Sequence, residues 1–266
     1  TFTAGTSITL TTSGSVILVA TDAVGNESRE TITINIDELP PVTTDNYAID
    51  GSWTNTTSLI TLTATDDISG VASTSYTIDG TTTVGTTFTV STEGQISVLY
   101  RSVDNAGNIE ADQTVSIWLD QTNPTIADDF TQESTWLATN QTINLTVADA
   151  LSGLASYNYS VDGETAVDNT PAVSVSGSGQ HNVDVLATDN AGNSATATIP
   201  VWIDLLAPTI THDYSNGTAW NTGSVTIVFG ATDAHSGVAT LGYELNGGTF
   251  TAGTSITLTT SGSVIL

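Results

Sequence analysis

The residues best able to do chemistry in this 266-residue chain are aspartates, and they recur at fixed spacing. Asp37, Asp120 and Asp204 each stand a few residues before a proline. Asp66, Asp149 and Asp233 follow them at a constant interval, each ahead of a Ser-Gly pair. A third group opens a D-x-x-G-N motif at Asp104, at Asp189 and at Asp22. Carboxylate oxygens are hard ligands, and calcium takes six to eight of them from such clusters. The same residues have a purely structural use, because an aspartate bonds the backbone two residues on in an Asx-turn. Both readings predict a repeated Asp. The lack of any nearby base favours a cation, since bare like charges repel.

The elements that must position these residues come in copies. Residues 1–18 and 249–266 are identical, an offset of 248. A shorter period lies inside it, with the pre-proline Asp residues 83 (37 to 120) and 84 (120 to 204) residues apart. Within each period the apolar residues alternate, as in a half-buried strand. Ile60, Leu62 and Ala64 match Ile143, Leu145, Val147 and Ile227, Phe229, Ala231. Threonine fills the other face, and its branched Cβ suits a pleated, solvated surface. Asp79-Gly80, Asp162-Gly163 and Asn246-Gly247 predict type I′ hairpins. Pro200 lies in the last strand, which predicts an edge position.

About 80 residues with some seven short strands is the size of an immunoglobulin-like sandwich. The expected fold class is therefore all-β, with tandem immunoglobulin-like β-sandwich modules arranged end to end. The expected boundaries are 37–119 and 120–203 for two whole modules. Residues 204–266 form the N-terminal part of a third, completed by the next copy. Residues 1–36 form the C-terminal part of such a module. Its Asp set is Asp204, Asp233 and the next copy's equivalent of Asp22. The Asp sets are expected on the linker, the B–C loop and the F–G loop, facing the preceding module.

Composition narrows the chemistry. The chain has no Cys, no Met and no Lys; its two bases are Arg29 and Arg101, and its net charge is −26. Zinc fingers, disulfides, thiol nucleophiles, Schiff bases, P-loops and Lys–Asn isopeptide bonds are all excluded. So negative a surface repels phosphate backbones, which argues against nucleic acid. No apolar run approaches membrane-spanning length. With no initiator Met or signal peptide, the chain reads as an interior piece of a longer one. The charge is not a tail, for residues 37–119 and 120–203 each carry −10.

The motifs Trp53-Thr54-Asn55, Leu62 to Ser73, Tyr76 to Gly80, Asp104 to Glu110 and Ile203 to Pro208 together resemble the bacterial Ig-like repeats of large surface proteins and adhesins. The A-T-D…A-G-N portion is also similar to hyalin-type repeats. The resemblance covers essentially the whole chain. It implies an extracellular, cell-surface location and a structural role, as a segment of a filament, stalk or sheath. Its partners would be neighbouring copies of the repeat, with lateral filament contacts or surface glycans besides. Calcium at module junctions would be its one cofactor. An adhesin or carbohydrate-binding stalk is one alternative. A subunit polymerising by strand complementation between split modules is another, although residues 1–18 and 249–266 would then compete for one slot.

Other residues carry weaker signals. Trp53, Trp136 and Trp220 hold one register position, which fits core or junction packing better than sugar stacking. Trp118 and Trp202 sit on the opposite parity to their strands' apolar residues, and Asn35 replaces them in the third module. His181, His212 and His235 are unrelated in position, and Glu164 and Asp168 do not recur. No nucleophile–base pair stands out, so no enzyme is expected. Sequons at Asn26, Asn55, Asn140, Asn144, Asn158 and Asn216 are candidates for glycans.

Overall fold

A computed structural model describes residues 5, 7–49, 51–132, 134–215, 217 and 219–259. Every regular element among them is a strand. The chain divides into two compact units. One comprises Thr1–Thr122 with Asn190–Asn193, the other Asn123–Asp189 with Ser194–Leu266.

The first unit opens with a hairpin of β1 (Gly14–Thr21) and β2 (Glu27–Ile34). It continues with β3 (Val42–Asp45), β4 (Trp53–Thr54), β5 (Leu59–Thr65), β6 (Val71–Ile78), β7 (Thr81–Val84), β8 (Thr87–Thr89), β9 (Gly94–Asp104) and β10 (Gln113–Leu119). These eight make a three-stranded sheet, β3-β5-β8, and a five-stranded sheet, β4-β10-β9-β6-β7. Alternation places the core between the sheets. Ile60 and Leu62 on one and Val98, Tyr100, Val115 and Ile117 on the other are all buried. Each such side chain contributes about 1.5–3 kcal/mol when removed from water. The turn at Asp79-Gly80 has φ of 48° and 76°, both positive as type I′ demands.

The second unit repeats the pattern with β11 (Thr125–Asp128), β12 (Trp136–Leu137), β13 (Gln141–Ala148), β14 (Leu154–Val161), β15 (Val167–Asp168), β16 (Ala172–Val175), β17 (Gly179–Asp189) and β18 (Ser194–Ile203). Its sheets are β11-β13-β16 and β12-β18-β17-β14-β15. In each unit a short strand runs parallel to the last long one, β4 along β10 and β12 along β18. The edge expected at Pro200 needs correction, because β18 is flanked on both sides. Yet β12 reaches only Trp202 and Ile203, so beside Pro200 only β17 is paired. The missing N–H therefore breaks no ladder on the outer side.

Residues beyond 203 form less. β19 (Thr209–His212), β20 (Val225–Thr232) and β23 (Ser255–Leu258) make one sheet, and β21 (Gly242–Tyr243) pairs with β22 (Thr251–Ala252). The residues that match β9 and β10 are, by sequence register, those of β1 and β2.

The two complete sandwiches differ at a cluster of four interior positions. In the first, Glu110 is 6% exposed and accepts from Thr43 N at 2.8 Å, Thr43 Oγ1 at 2.5 Å and Ser102 N at 3.1 Å. Ser102 Oγ then bonds Thr43 and Thr74 hydroxyls at 2.7 and 2.8 Å. The second sandwich holds Ile126, Ala187, Tyr157 and Ala195 at these positions. A buried donor stripped of its acceptor costs about 1–3 kcal/mol. Glu110→Ala is expected to lower the stability of the first sandwich by at least that much in urea denaturation. Adding Thr43→Ile, Thr74→Tyr and Ser102→Ala, the apolar solution of the second sandwich, should recover part of the loss.

Candidate functional site

Asp37, Asp66 and Asp104 come together at one end of the first sandwich. One carboxylate oxygen from each lies within 4.8 Å of the others. Asp37 precedes β3, Asp66 follows β5 and Asp104 ends β9, so three separate strands deliver them to one end. Asp104 is only 2% exposed, whereas Asp37 and Asp66 are half-buried.

Backbone bonds fix each of them. Asp66 Oδ1 accepts from Ile68 N at 3.2 Å and Gly70 N at 2.6 Å. Gly70 has a φ of 81°, a conformation that a side chain would strain. Asp104 Oδ1 accepts from Gly107 N and Asn108 N at 2.7 and 2.8 Å, and its Oδ2 from Asn108 Nδ2 at 2.7 Å. Asp37 accepts from Leu39 N and, across to the Asp66 loop, from Ser69 N at 2.9 Å. Asn108 closes the ring by donating Nδ2 to the Asp37 carbonyl at 3.0 Å. The Asx-turn use of these residues is therefore real, and it is also what aims the carboxylates at one another.

The same bonds recur elsewhere. Asp149 accepts from Leu151 N and Gly153 N at 3.1 and 2.8 Å. Asp233 accepts from His235 N and Gly237 N at 3.0 and 2.8 Å. Asp204 accepts from Ser236 N at 3.0 Å, as Asp37 does from Ser69. Asp120 and Asp189 are buried, and Asn193 donates to the Asp120 carbonyl at 2.9 Å. Asp22 caps the β1–β2 turn through Val24 N, Asn26 N and Asn26 Nδ2. Among the described residues no third carboxylate joins Asp204 and Asp233. Asp128, Asp129 and Asp213 lie further down their strands. Asp128 stands opposite Leu145, four residues before Asp149, which is about 13 Å along a strand.

Asp104 illustrates the electrostatics. Desolvation pushes its carboxyl upward, but the Asn108 side chain and the N–H groups of Asn108, Gly107 and Ala106 outweigh it and hold it below 3.8. Hydrogen bonds likewise lower Asp22 through Asn26, Asp129 through Asn144 and Asp204 through Ser236. No base compensates the cluster. Arg29 pairs with Glu27, and Arg101 with Asp112 at 3.4 Å.

The remaining sequence-singled residues fall in varied places. Trp53 packs at a tilt against Trp118, with centroids 5.7 Å apart, and Trp136 against Trp202 at 5.5 Å. Trp136 also faces His235 at 5.5 Å, while Trp220 is 85% exposed. The off-parity Trp118 and Trp202 are thus half-buried partners of the earlier tryptophans, a pairing that linear spacing does not reveal. Of the sequons, Asn26 and Asn144 already donate Nδ2 to Asp22 and Asp129. Asn140 is exposed, Asn55 and Asn158 are half-buried, and Asn216 lies outside the described residues. His181, unremarkable in sequence, has Nδ1 2.7 Å from Asp162 Oδ2 and Nε2 3.2 Å from the Gly177 carbonyl. Both partners are acceptors, so only the doubly protonated ring satisfies both.

No family model matches the chain. No curated protein matches it either. Among solved structures it is similar to fibronectin(III)-like modules of Clostridium thermocellum CbhA, at 14% identity and a TM-score of 0.33, over 61% of this chain and 94% of that one. The D00–D0 domain of intimin gives 14% identity and a TM-score of 0.34, over 61% and 100%. A tetra-tandem repeat from the extending region of a large adhesion protein gives 16% identity and a TM-score of 0.28, over 93% and 73%. At these scores the fold rests on the strands themselves.

The pKa directions set a pH dependence. Carboxylates held below 3.8 contribute stability that is complete above that value and lost as pH falls through the lowered one. Burial pulls His181 down, but its bond to Asp162 prevails and raises it above 6.5. Its contribution is complete below 6.5 and lost as pH rises through the raised value. The melting temperature of the second unit should therefore fall as pH rises above 6.5. Asp162→Asn keeps the turn acceptor for Asn182 N, and it is expected to flatten that fall while leaving acid unfolding below about pH 4 in place.

Proposed function

We propose that this chain is a segment of a long, tandemly repeated extracellular protein that serves as a stalk, filament or sheath. The observation that carries this reading is the recurrence, from one Asp set to the next, of bonds that couple linker and loops. Asp37–Ser69 and Asp204–Ser236, like Asn108–Asp37 and Asn193–Asp120, repeat bond for bond. Identical residues 1–18 and 249–266 support a period of 248. The repeating units are 37–119, 120–203 and a third split between 204–266 and 1–36. Near-identical copies maintain length rather than chemistry, and each module leans mainly on its neighbours. A surface of net charge −26 keeps laterally adjacent copies apart. Denatured native protein is expected to run as one chain far heavier than this segment. A ladder of 27.4 kDa subunits would overturn the continuous-array reading.

Calcium is part of the proposal. The donor set fits it: three carboxylates with oxygens within 4.8 Å, no base, and only hard oxygen ligands. Ser69 Oγ, in the same loop as Asp66, is buried without a hydrogen-bond partner. Bound there, the ion would screen the mutual repulsion of Asp37, Asp66 and Asp104 and lock the linker to both loops. Aspartate and asparagine separate the two uses of these residues, because asparagine keeps the Oδ1 turn acceptor and loses the charge. Calcium is expected to raise the melting temperature of the wild-type chain, EDTA to reverse that, and Asp66→Asn to remove the first sandwich's part of the response with little loss of metal-free stability. A wild-type melting temperature indifferent to both reagents would leave these aspartates as turn residues only.

A further inference from the structure

The net charge of −26 sets copies of this chain against one another wherever their acids meet. One sheet edge of the first sandwich carries none of those acids. β7 ends the five-stranded sheet, and no described strand pairs with its outer side. Its residues, Thr81–Val84, are all exposed, Val84 at 74%. The bond from Gly85 N to the Thr74 carbonyl at 2.9 Å fixes how the strand faces β6. Residues 81, 83 and 85 turn their main-chain groups to β6, with Thr81 opposite Ile78 and Thr83 opposite Tyr76. Antiparallel alternation then points the N–H and C=O of Thr82 and Val84 outward.

Such edges are ordinarily blunted by shortness, charge, proline or a bulge. The other edges of the two complete sandwiches show these devices. β4, β12 and β15 are each two residues long. β15 also ends on Asp168, and Asn169, with a φ of 48°, turns the chain out of it. β3 ends on Asp45 and β11 on Asp128, β8 has three residues, and Pro171 stands just before β16. β7 has four residues with no acid and no proline among them. Along the cross-strand row through Val84 the charges cancel. Ser75 lies opposite Val84 and Arg101 opposite Ser75, and Arg101 pairs with Asp112 at 3.4 Å.

We propose that β7 is a lateral docking edge for the β7 of a second copy of this chain, the two strands pairing antiparallel about a two-fold axis. An uncharged strip gives a cationic partner nothing to recognise, but it is where two acidic chains meet without opposed carboxylates. Thr82 of one copy stands opposite Val84 of the other, and each such pair exchanges both of its N–H···O bonds. The same patch serves on both sides, as a two-fold contact requires. The two Asp79 turns fall at opposite ends of the contact, about 27 Å apart along the strands. That distance is several times the Debye length of about 8 Å at physiological salt. So short a ladder binds weakly between single chains. In the proposed array it would recur in every period, and linked copies would gain by multivalency. The docking itself does not depend on the array.

Amide hydrogen exchange on the isolated chain, read residue by residue by NMR, tests it. Exchange at Thr82 and Val84 is expected to slow as protein concentration rises, about tenfold at ten times the dissociation constant. Salt should strengthen the effect, because it screens the repulsion between acidic copies. Val84→Pro deletes an N–H that β6 does not use, a change an edge strand tolerates, and it should return Thr82 to its dilute-solution rate. Thr82→Asp leaves the backbone intact and sets a charge on the strip, and it should do the same for Val84. Exchange at both amides that is indifferent to concentration at every salt would overturn the docking. So would slowing that salt weakens, or slowing that survives in either variant.

Discussion

Everything here depends on closing one apolar face against another without covalent help. There is no disulfide, and 28 acids face only two arginines and no lysine, so the sandwich is held by apolar burial and by hydrogen bonds. In the complete modules the long strand pairs β9–β10 and β17–β18 supply most of the wholly buried side chains. The hairpin of the same sequence pattern, left alone in β1–β2, keeps its pairing but exposes its face. Strand pairing is thus local and cheap to form, whereas core burial needs the second sheet.

The charge is arranged around that core rather than against it. Fully buried acids are costly unless bonded. Asp104 and Asp189 are nonetheless 2% exposed and Asp120 is 0%. At Asp104 three donors from one turn meet the carboxylate, and the φ of 96° at Gly107 lets that turn wrap tightly enough to aim them. The geometry that satisfies the carboxylates individually also crowds them collectively. Glu110 is the exception that lies in the core proper, and there hydroxyls and main-chain N–H groups replace the apolar packing of the second sandwich.

Much of this was legible from spacing. Alternation marked the buried faces, Asp-Gly and Asn-Gly marked the turns, and the Asp register marked residues that the fold gathers, as at Asp37, Asp66 and Asp104. What spacing missed is long-range. Trp118 appeared to be on the wrong parity because its partner, Trp53, arrives on a short parallel strand with no pattern of its own. Asp162 and His181, nineteen residues apart, meet beside the β14–β17 pairing, with β15 and β16 between them in sequence. Asp128 stands only eight residues after Asp120, yet β11 carries it along the sheet to a place opposite Leu145. Asn108 was one letter of a turn motif, and only the fold shows that it ties that turn to the linker.

In the proposed array the third, split module differs in a way that bears on which period matters mechanically. Where two modules set a tryptophan beside a tryptophan, the third sets Trp220 in register with Asn35. An aromatic pair contributes about 0.5–1.5 kcal/mol beyond its buried area, which an amide does not replace. His235, in contact with Trp136, likewise stands where the other modules have Ile68 and Leu151. The seams are therefore unequal, and they become equivalent again only after 248 residues. An array built this way has the architecture of an 83-residue repeat, but its most weakly packed seam recurs once in three modules. Stretching it should open that seam first.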